Sequence, residues 1–163
     1  MHWLTGNNQG TSKTTFSPGN NITRADFAIL LVRAFGLSSE NTENFADVLP
    51  TDYFADELAI ARNSGIINGI GDNKFSPRNT ITRQDMMVIV YRSLKSVGAI
   101  HESPVNTPEY PDYADVSDYA KEAVAALIGA GIVNGKNGKI APDDNATRAE
   151  VAVLIKRVLD SIK

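Results

Sequence analysis

The sequence predicts an all-α fold: three helix-loop-helix repeats around a central three-helix bundle with pseudo-threefold symmetry. Three observations predict it. One block of residues occurs three times along the chain. Each copy opens a segment that is apolar nearly all round, and in a soluble protein such a helix belongs in the interior. Between the copies lie segments with a single apolar stripe, which suit the outside of such a bundle.

The block first reads Phe16-Ser17-Pro18-Gly19-Asn20-Asn21-Ile22-Thr23-Arg24-Ala25-Asp26. It returns as Phe75-Ser76-Pro77-Arg78-Asn79-Thr80-Ile81-Thr82-Arg83-Gln84-Asp85, and more loosely as Ile140-Ala141-Pro142-Asp143-Asp144-Asn145-Ala146-Thr147-Arg148-Ala149-Glu150. The copies lie 59 and then 65 residues apart, and self-similarity of this length is the mark of a repeat architecture. A second block precedes it. Phe45-Ala46-Asp47-Val48 pairs with Tyr113-Ala114-Asp115-Val116, and Gly65-Ile66-Ile67-Asn68-Gly69 with Gly131-Ile132-Val133-Asn134-Gly135. One unit therefore runs aromatic-Ala-Asp-Val, helix, Gly-apolar-apolar-Asn-Gly turn, short extended piece, Pro loop, Thr-Arg, second helix.

The units divide the chain at 1–42, 43–103 and 104–163, together one compact module. Linkers fall around 38–44 and 98–112, the latter barred from helix by Pro104, Pro108 and Pro111. The first unit is incomplete. Trp3-Leu4-Thr5-Gly6 takes the place of Ile66-Ile67-Asn68-Gly69, with a longer loop at 7–15, and the first helix is missing. A second copy of the chain could supply that helix, making a homo-oligomer through the incomplete repeat.

Each inner helix opens on a cap. Thr23-x-x-Asp26, Thr82-x-x-Asp85 and Thr147-x-x-Glu150 have the capping-box pattern, in which the Thr hydroxyl accepts from the N3 amide and the N3 acid reaches back. Glu150 fits the strict form; Asp26 and Asp85 are shorter versions of it. The apolar runs that follow are Phe27-Ala28-Ile29-Leu30-Leu31-Val32, Met86-Met87-Val88-Ile89-Val90-Tyr91 and Val151-Ala152-Val153-Leu154-Ile155. The outer helices are expected near 54–64 and 119–130, the latter with its stripe at Ala120, Ala123, Val124 and Leu127. Gly65, Gly69, Gly131 and Gly135 read as helix stops and tight turns. Pro18, Pro77 and Pro142 stiffen the loop before each cap.

Arg24, Arg83 and Arg148 do not fit this scaffold reading. Each falls at the first helical position, where the helix end already carries partial positive charge, so a cation gains nothing locally. An anion site explains them, because guanidinium plus free amides suit a carboxylate or phosphate. The structural alternative is a salt bridge between repeats, for example to Asp47 or Asp115.

Composition excludes several classes. Sixteen basic against nineteen acidic residues give a net charge of −3, which supplies no field for nucleic acid or an anionic membrane. With no cysteine there is neither a disulfide framework nor a thiolate metal site. No stretch is long and apolar enough for membrane insertion. The N-terminus does not read as a signal peptide, so an exported parent implies that this chain is a piece of it. The acidic loops Gly71-Asp72-Asn73-Lys74 and Asp143-Asp144-Asn145 lack the calcium-loop run that ends on an acid at position twelve. His2 and His101 stand alone, and the carboxylates are accounted for as caps or surface rather than as a glycosidase pair. No catalytic group, cofactor or metal is expected.

Taken together, the Phe-Ala-Asp-Val block, the Gly-Ile-Ile-Asn-Gly turn, Phe-Ser-Pro and the repeated Ile-Thr-Arg-x-acid resemble the S-layer homology family, which commonly comes as three repeats. The resemblance covers nearly the whole chain. It implies a three-pronged spindle and an extracellular place at the cell wall or S-layer. It further implies non-covalent binding of secondary cell-wall polysaccharide, commonly through a terminal pyruvylated N-acetylmannosamine, in grooves between prongs. By position, ligand recognition transfers to Arg24, Arg83 and Arg148, with a supporting groove role for Asp47, Asp115, Asn68, Gly69, Asn134 and Gly135. The third copy departs from the pattern, having Ile140-Ala141-Pro142 for Phe-Ser-Pro, and Arg83 ranks first because its repeat is complete.

Overall fold

The computed structural model describes residues 17–100 and 108–162. Trp3-Leu4-Thr5-Gly6, His2 and His101 lie outside them. The described chain is helical, with α1 at Arg24–Phe35, α2 at Ala55–Asn63, α3 at Arg83–Ser96, α4 at Asp118–Gly129 and α5 at Arg148–Ser161. A short 3₁₀ turn occupies Tyr113–Asp115. No strand forms among these residues, only isolated bridges, and none of their helices is long and apolar enough to cross a membrane.

The three apolar helices α1, α3 and α5 share one buried cluster that includes Phe27, Leu31, Met87, Val90, Leu94, Val151 and Ile155. α1 lies against both α3 and α5, helped by its small buried residues Ala25 and Ala28. The two amphipathic helices sit outside, and each packs on the inner helix of the preceding repeat: α2 on α1, α4 on α3. Phe54 and Leu58 of repeat two and Val124 and Leu127 of repeat three are the fully buried residues that hold them there.

A closed ring of backbone hydrogen bonds joins the repeats at the inner-helix entrances. The Ile22 amide donates to Ala146 O (3.1 Å), Ala146 N to Ile81 O (2.9 Å), and Ile81 N back to Ile22 O (3.1 Å). Thr23 bridges to Thr80, Thr82 to Asn145, and Asn21 to Thr147. Three equivalent segments thus meet around one axis, as the triplicated block requires.

The helix starts differ from expectation. Each Thr does cap its helix, accepting from the Asp26, Asp85 or Glu150 amide. Only Glu150 closes the reciprocal box, its Oε2 accepting from Thr147 N at 2.9 Å. Asp26 and Asp85 are one methylene shorter and turn outward to tyrosines instead: Tyr53 Oη donates to Asp26 Oδ1 (2.9 Å) and Tyr119 Oη to Asp85 Oδ1 (2.7 Å).

The first two amides of each inner helix are not free either. Arg24 N and Ala25 N donate to Asn79 O (2.8 Å) and Pro77 O (3.0 Å) of the next repeat's Pro loop. Arg83 N and Gln84 N donate to Asp144 O and Pro142 O, and Arg148 N and Ala149 N to Asn20 O and Pro18 O. Each inner-helix entrance is therefore filled by carbonyls from a neighbouring repeat, and the amide cradle expected for an anion is absent there.

Candidate functional site

The Pro loops that fill those entrances carry backbone strain. Ser17, Ser76 and Ala141, each directly before its proline, have φ of 47°, 54° and 51°. A left-handed backbone is unfavourable for a residue with a Cβ and costs of order 1–3 kcal/mol when held in a folded chain. An aspartate holds it in the two complete repeats. Asp47 accepts from Phe75 N (2.9 Å) and Ser76 N (2.8 Å). Asp112 accepts from Ile140 N (2.9 Å) and Ala141 N (2.7 Å). Burial alone would raise the Asp112 carboxyl, but those two amides, together with its own amide and the Lys139 charge, outweigh it and hold the group below its usual value.

This corrects the register of the second block. The partner of Asp47 is Asp112, not Asp115; each sits 28 and 29 residues before the two amides it binds. Phe45 then corresponds to Tyr110. Both rings press on the Asn-Gly turn, so that a Cβ at Gly69 would lie 2.9 Å from the Phe45 ring and one at Gly135 2.4 Å from Tyr110. Glycine is required at both positions because ring and backbone leave no room. Asp115 is exposed in the 3₁₀ turn and lines neither groove described below.

With the loops fixed, the cap arginines reach across to the following repeat. Arg24 Nε donates to Phe75 O (2.9 Å), its NH1 meets Asp85 Oδ2 at 2.6 Å, and its guanidinium lies 4.7 Å above the Phe75 ring. Arg83 repeats the arrangement with Ile140 O (2.9 Å) and Glu150 Oε1 (2.9 Å). Both are buried, at 8% and 4% exposure. The bridges thus run to the N3 acid of the next repeat rather than to Asp47 or Asp115. Arg148 begins α5 in the same position and is likewise engaged.

Two grooves lie beside these bridges. The α3 groove, about 420 Å³, is lined by Arg24, Asn68, Gly69, Phe75, Arg92 and Tyr119 among others. The α5 groove, about 380 Å³, is lined by Arg83, Asn134, Gly135, Glu150, Val153 and Arg157 among others. Each brings together a cap arginine of one repeat, the Asn-Gly turn of the next and the next inner helix. The structure thus gathers Arg24 with Asn68 and Gly69, and Arg83 with Asn134 and Gly135. Asp47 stands behind, holding the loop.

The sequence reading missed a second arginine in the same register. Arg33, Arg92 and Arg157 each follow a cap arginine by nine positions, and that recurrence was the available signal. Arg33 bridges to Glu57 at 2.6 Å. Arg92 and Arg157 line the grooves. Tyr119 was also missed, although Asp52-Tyr53 and Asp118-Tyr119 repeat.

Comparison with known proteins accords with this architecture. The family model of the S-layer homology domain matches residues 9–28, 44–87 and 109–152, more than half of the chain in three segments. An amylopullulanase of Thermoanaerobacterium thermosulfurigenes is 34% identical over 93% of this chain and 8% of its own length. The surface-layer 125 kDa protein of Lysinibacillus sphaericus is 27% identical over 94% of this chain and 13% of its own. For a cellulosome-anchoring protein of Acetivibrio thermocellus the figures are 26%, 89% and 33%. The chain thus spans a minor part of each relative. Three matched segments in the order of the three repeats, on a fold those repeats close into a ring, place the chain in the S-layer homology domain family.

Proposed function

We propose that this chain is a non-catalytic module that anchors a protein at the bacterial cell surface by binding cell-wall polysaccharide in its grooves. The observation that supports it is the repetition of the groove itself. Arg24, Asn68 and Gly69 on one side and Arg83, Asn134 and Gly135 on the other recur although different repeats supply them. The relatives point the same way. An amylopullulanase and a surface-layer protein have no activity in common by name, yet both share this segment, and another relative is named for anchoring.

The ligand we propose is the secondary wall polysaccharide, through pyruvylated N-acetylmannosamine ends. The grooves offer apolar floor, backbone at the Asn-Gly turn and guanidinium groups, a mixture that suits a sugar ring bearing a carboxylate. A second reading is favoured by one observation: Arg24 and Arg83 already hold Asp85 and Glu150, as a scaffold or oligomerisation module with arginines only bridging repeats would have them.

A pull-down separates the two. The purified chain is mixed with Gram-positive sacculi before and after hydrofluoric acid, which strips secondary polymer from peptidoglycan. Retention on untreated walls alone is the expected result. Equal retention on both would transfer the ligand to peptidoglycan, and retention on neither would favour the scaffold.

A further inference from the structure

Arg92 is a groove cation whose one favourable interaction within the described residues is the field of Asp85. It projects from α3 into the groove, half-buried, and also lines an adjoining recess with Ser64, Tyr91, Lys95 and Glu122. It therefore stands where two hollows meet. Among the described residues its guanidinium makes no hydrogen bond and no ion pair.

The acids around it are already engaged. Asp85 accepts from Arg24 NH1 on one oxygen (2.6 Å) and from Tyr119 Oη on the other (2.7 Å). Glu122 accepts from Tyr91 Oη at 2.6 Å. Burial disfavours the charged form of Arg92 and lowers its pKa, against the opposing field of Asp85. A half-buried charge without a hydrogen-bonded partner is unfavourable in the free protein. The equivalent arginines are placed differently. Arg33 is bound to Glu57, and Arg157 NH1 leans on Ile132 O at 3.5 Å.

We propose that Arg92 is the residue that receives the carboxylate of the bound polysaccharide, which makes the α3 groove the principal site and assigns Arg24 to holding its wall. This rests on the polysaccharide reading above. A planar guanidinium with five donors takes a carboxylate through two parallel hydrogen bonds, and the exposed Tyr119, which lines the same groove, offers an aromatic ring for the sugar.

The test titrates the purified chain with polysaccharide released from Gram-positive walls, and with the same polysaccharide after its carboxyl groups are reduced to alcohols. Arg92→Gln should weaken binding of the native polymer about ten- to a hundredfold, the loss expected for one charge-assisted contact. Arg92→Lys should fall between. Carboxyl reduction should weaken the unaltered chain by a similar factor and Arg92→Gln hardly at all, because the same contact cannot be lost twice. Melting temperature should not fall in Arg92→Gln. If the unaltered chain binds native polymer and Arg92→Gln loses nothing, or loses equally on both polymers, Arg92 is not the carboxylate receptor although the polysaccharide reading stands. A drop in melting temperature as large as that of Arg24→Gln would make Arg92 structural and overturn the assignment. A chain that binds neither polymer removes the polysaccharide reading and this inference with it.

Discussion

The grooves beside α3 and α5 share a backbone plan and differ in what covers it. In the α3 groove, α4 stands over the inner helix: Tyr119 closes one wall and Val88 is 6% exposed. In the α5 groove the equivalent Val153 is 50% exposed. Below the cap arginine, Arg24 lies over the Phe75 ring, whereas Arg83 meets Ile140 and leaves its NH2 buried without a partner. The acid differs as well. Asp85 relies on Arg24 and Tyr119, while Glu150 closes its own capping box and adds Lys136 at 3.9 Å. One frame thus carries two chemistries, because the frame is set by backbone bonds and the chemistry by side chains free to vary above it.

The most severe break should come from removing the aspartate beneath a groove. Asp47→Ala deprives two consecutive amides of a charged acceptor and should cost about 3–5 kcal/mol. Calorimetry should then show melting lowered by roughly 6–20 °C. Asp112→Ala should act in the same direction on the other side.

Exchanging the wall arginines sharpens the comparison. Arg24→Gln leaves Asp85 with only Tyr119 and should cost about 2 kcal/mol. Arg83→Gln should cost about 1 kcal/mol less, since Glu150 retains Thr147 and Lys136 and a buried unpaired NH2 is removed. Equal losses in urea unfolding would show that these differences do not matter.

Acid should act on the α5 side. Burial would raise the Glu150 carboxyl, but the Thr147 amide and hydroxyl together with Arg83 and Lys136 hold it below 4.5. A carboxyl depressed in the folded state stabilises fully above its unfolded value and loses that contribution as pH falls through the folded one. The stability difference between the unaltered chain and Glu150→Gln should therefore be complete above pH 4.5 and shrink below it, which urea titrations across pH would follow.

The smallest effect should be that of Asp115→Ala. It is exposed outside both grooves, and its removal should change stability by less than about 0.5 kcal/mol and leave wall binding intact. A loss matching that of Asp112→Ala would restore the register that the structure corrects.

Fold and frame were legible because each rested on repetition. The apolar runs beginning at Phe27, Met86 and Val151 marked the interior helices, and the Thr caps marked where they start. The second block slipped by three residues because Phe-Ala-Asp-Val resembles Tyr113-Ala114-Asp115-Val116 more than Tyr110-Pro111-Asp112-Tyr113. Only the two loop amides distinguish the aspartate that matters. Capping rules describe a helix in isolation, so they left the entrance amides of α1, α3 and α5 open. The carbonyls that fill them come from another repeat, which no local pattern can announce.

The ring running Ile22 to Ala146 to Ile81 and back fixes the copy number. In a solenoid each added unit meets an end and offers a new one, so the array can lengthen by one. Here the third unit returns to the first and no end remains. A fourth copy would have nowhere to insert, and deletion of one would break the ring and strip the carbonyls from the helix start of the repeat before it. Stability is therefore held in common: the last repeat to fold completes the entrance of one already made and has its own completed by another.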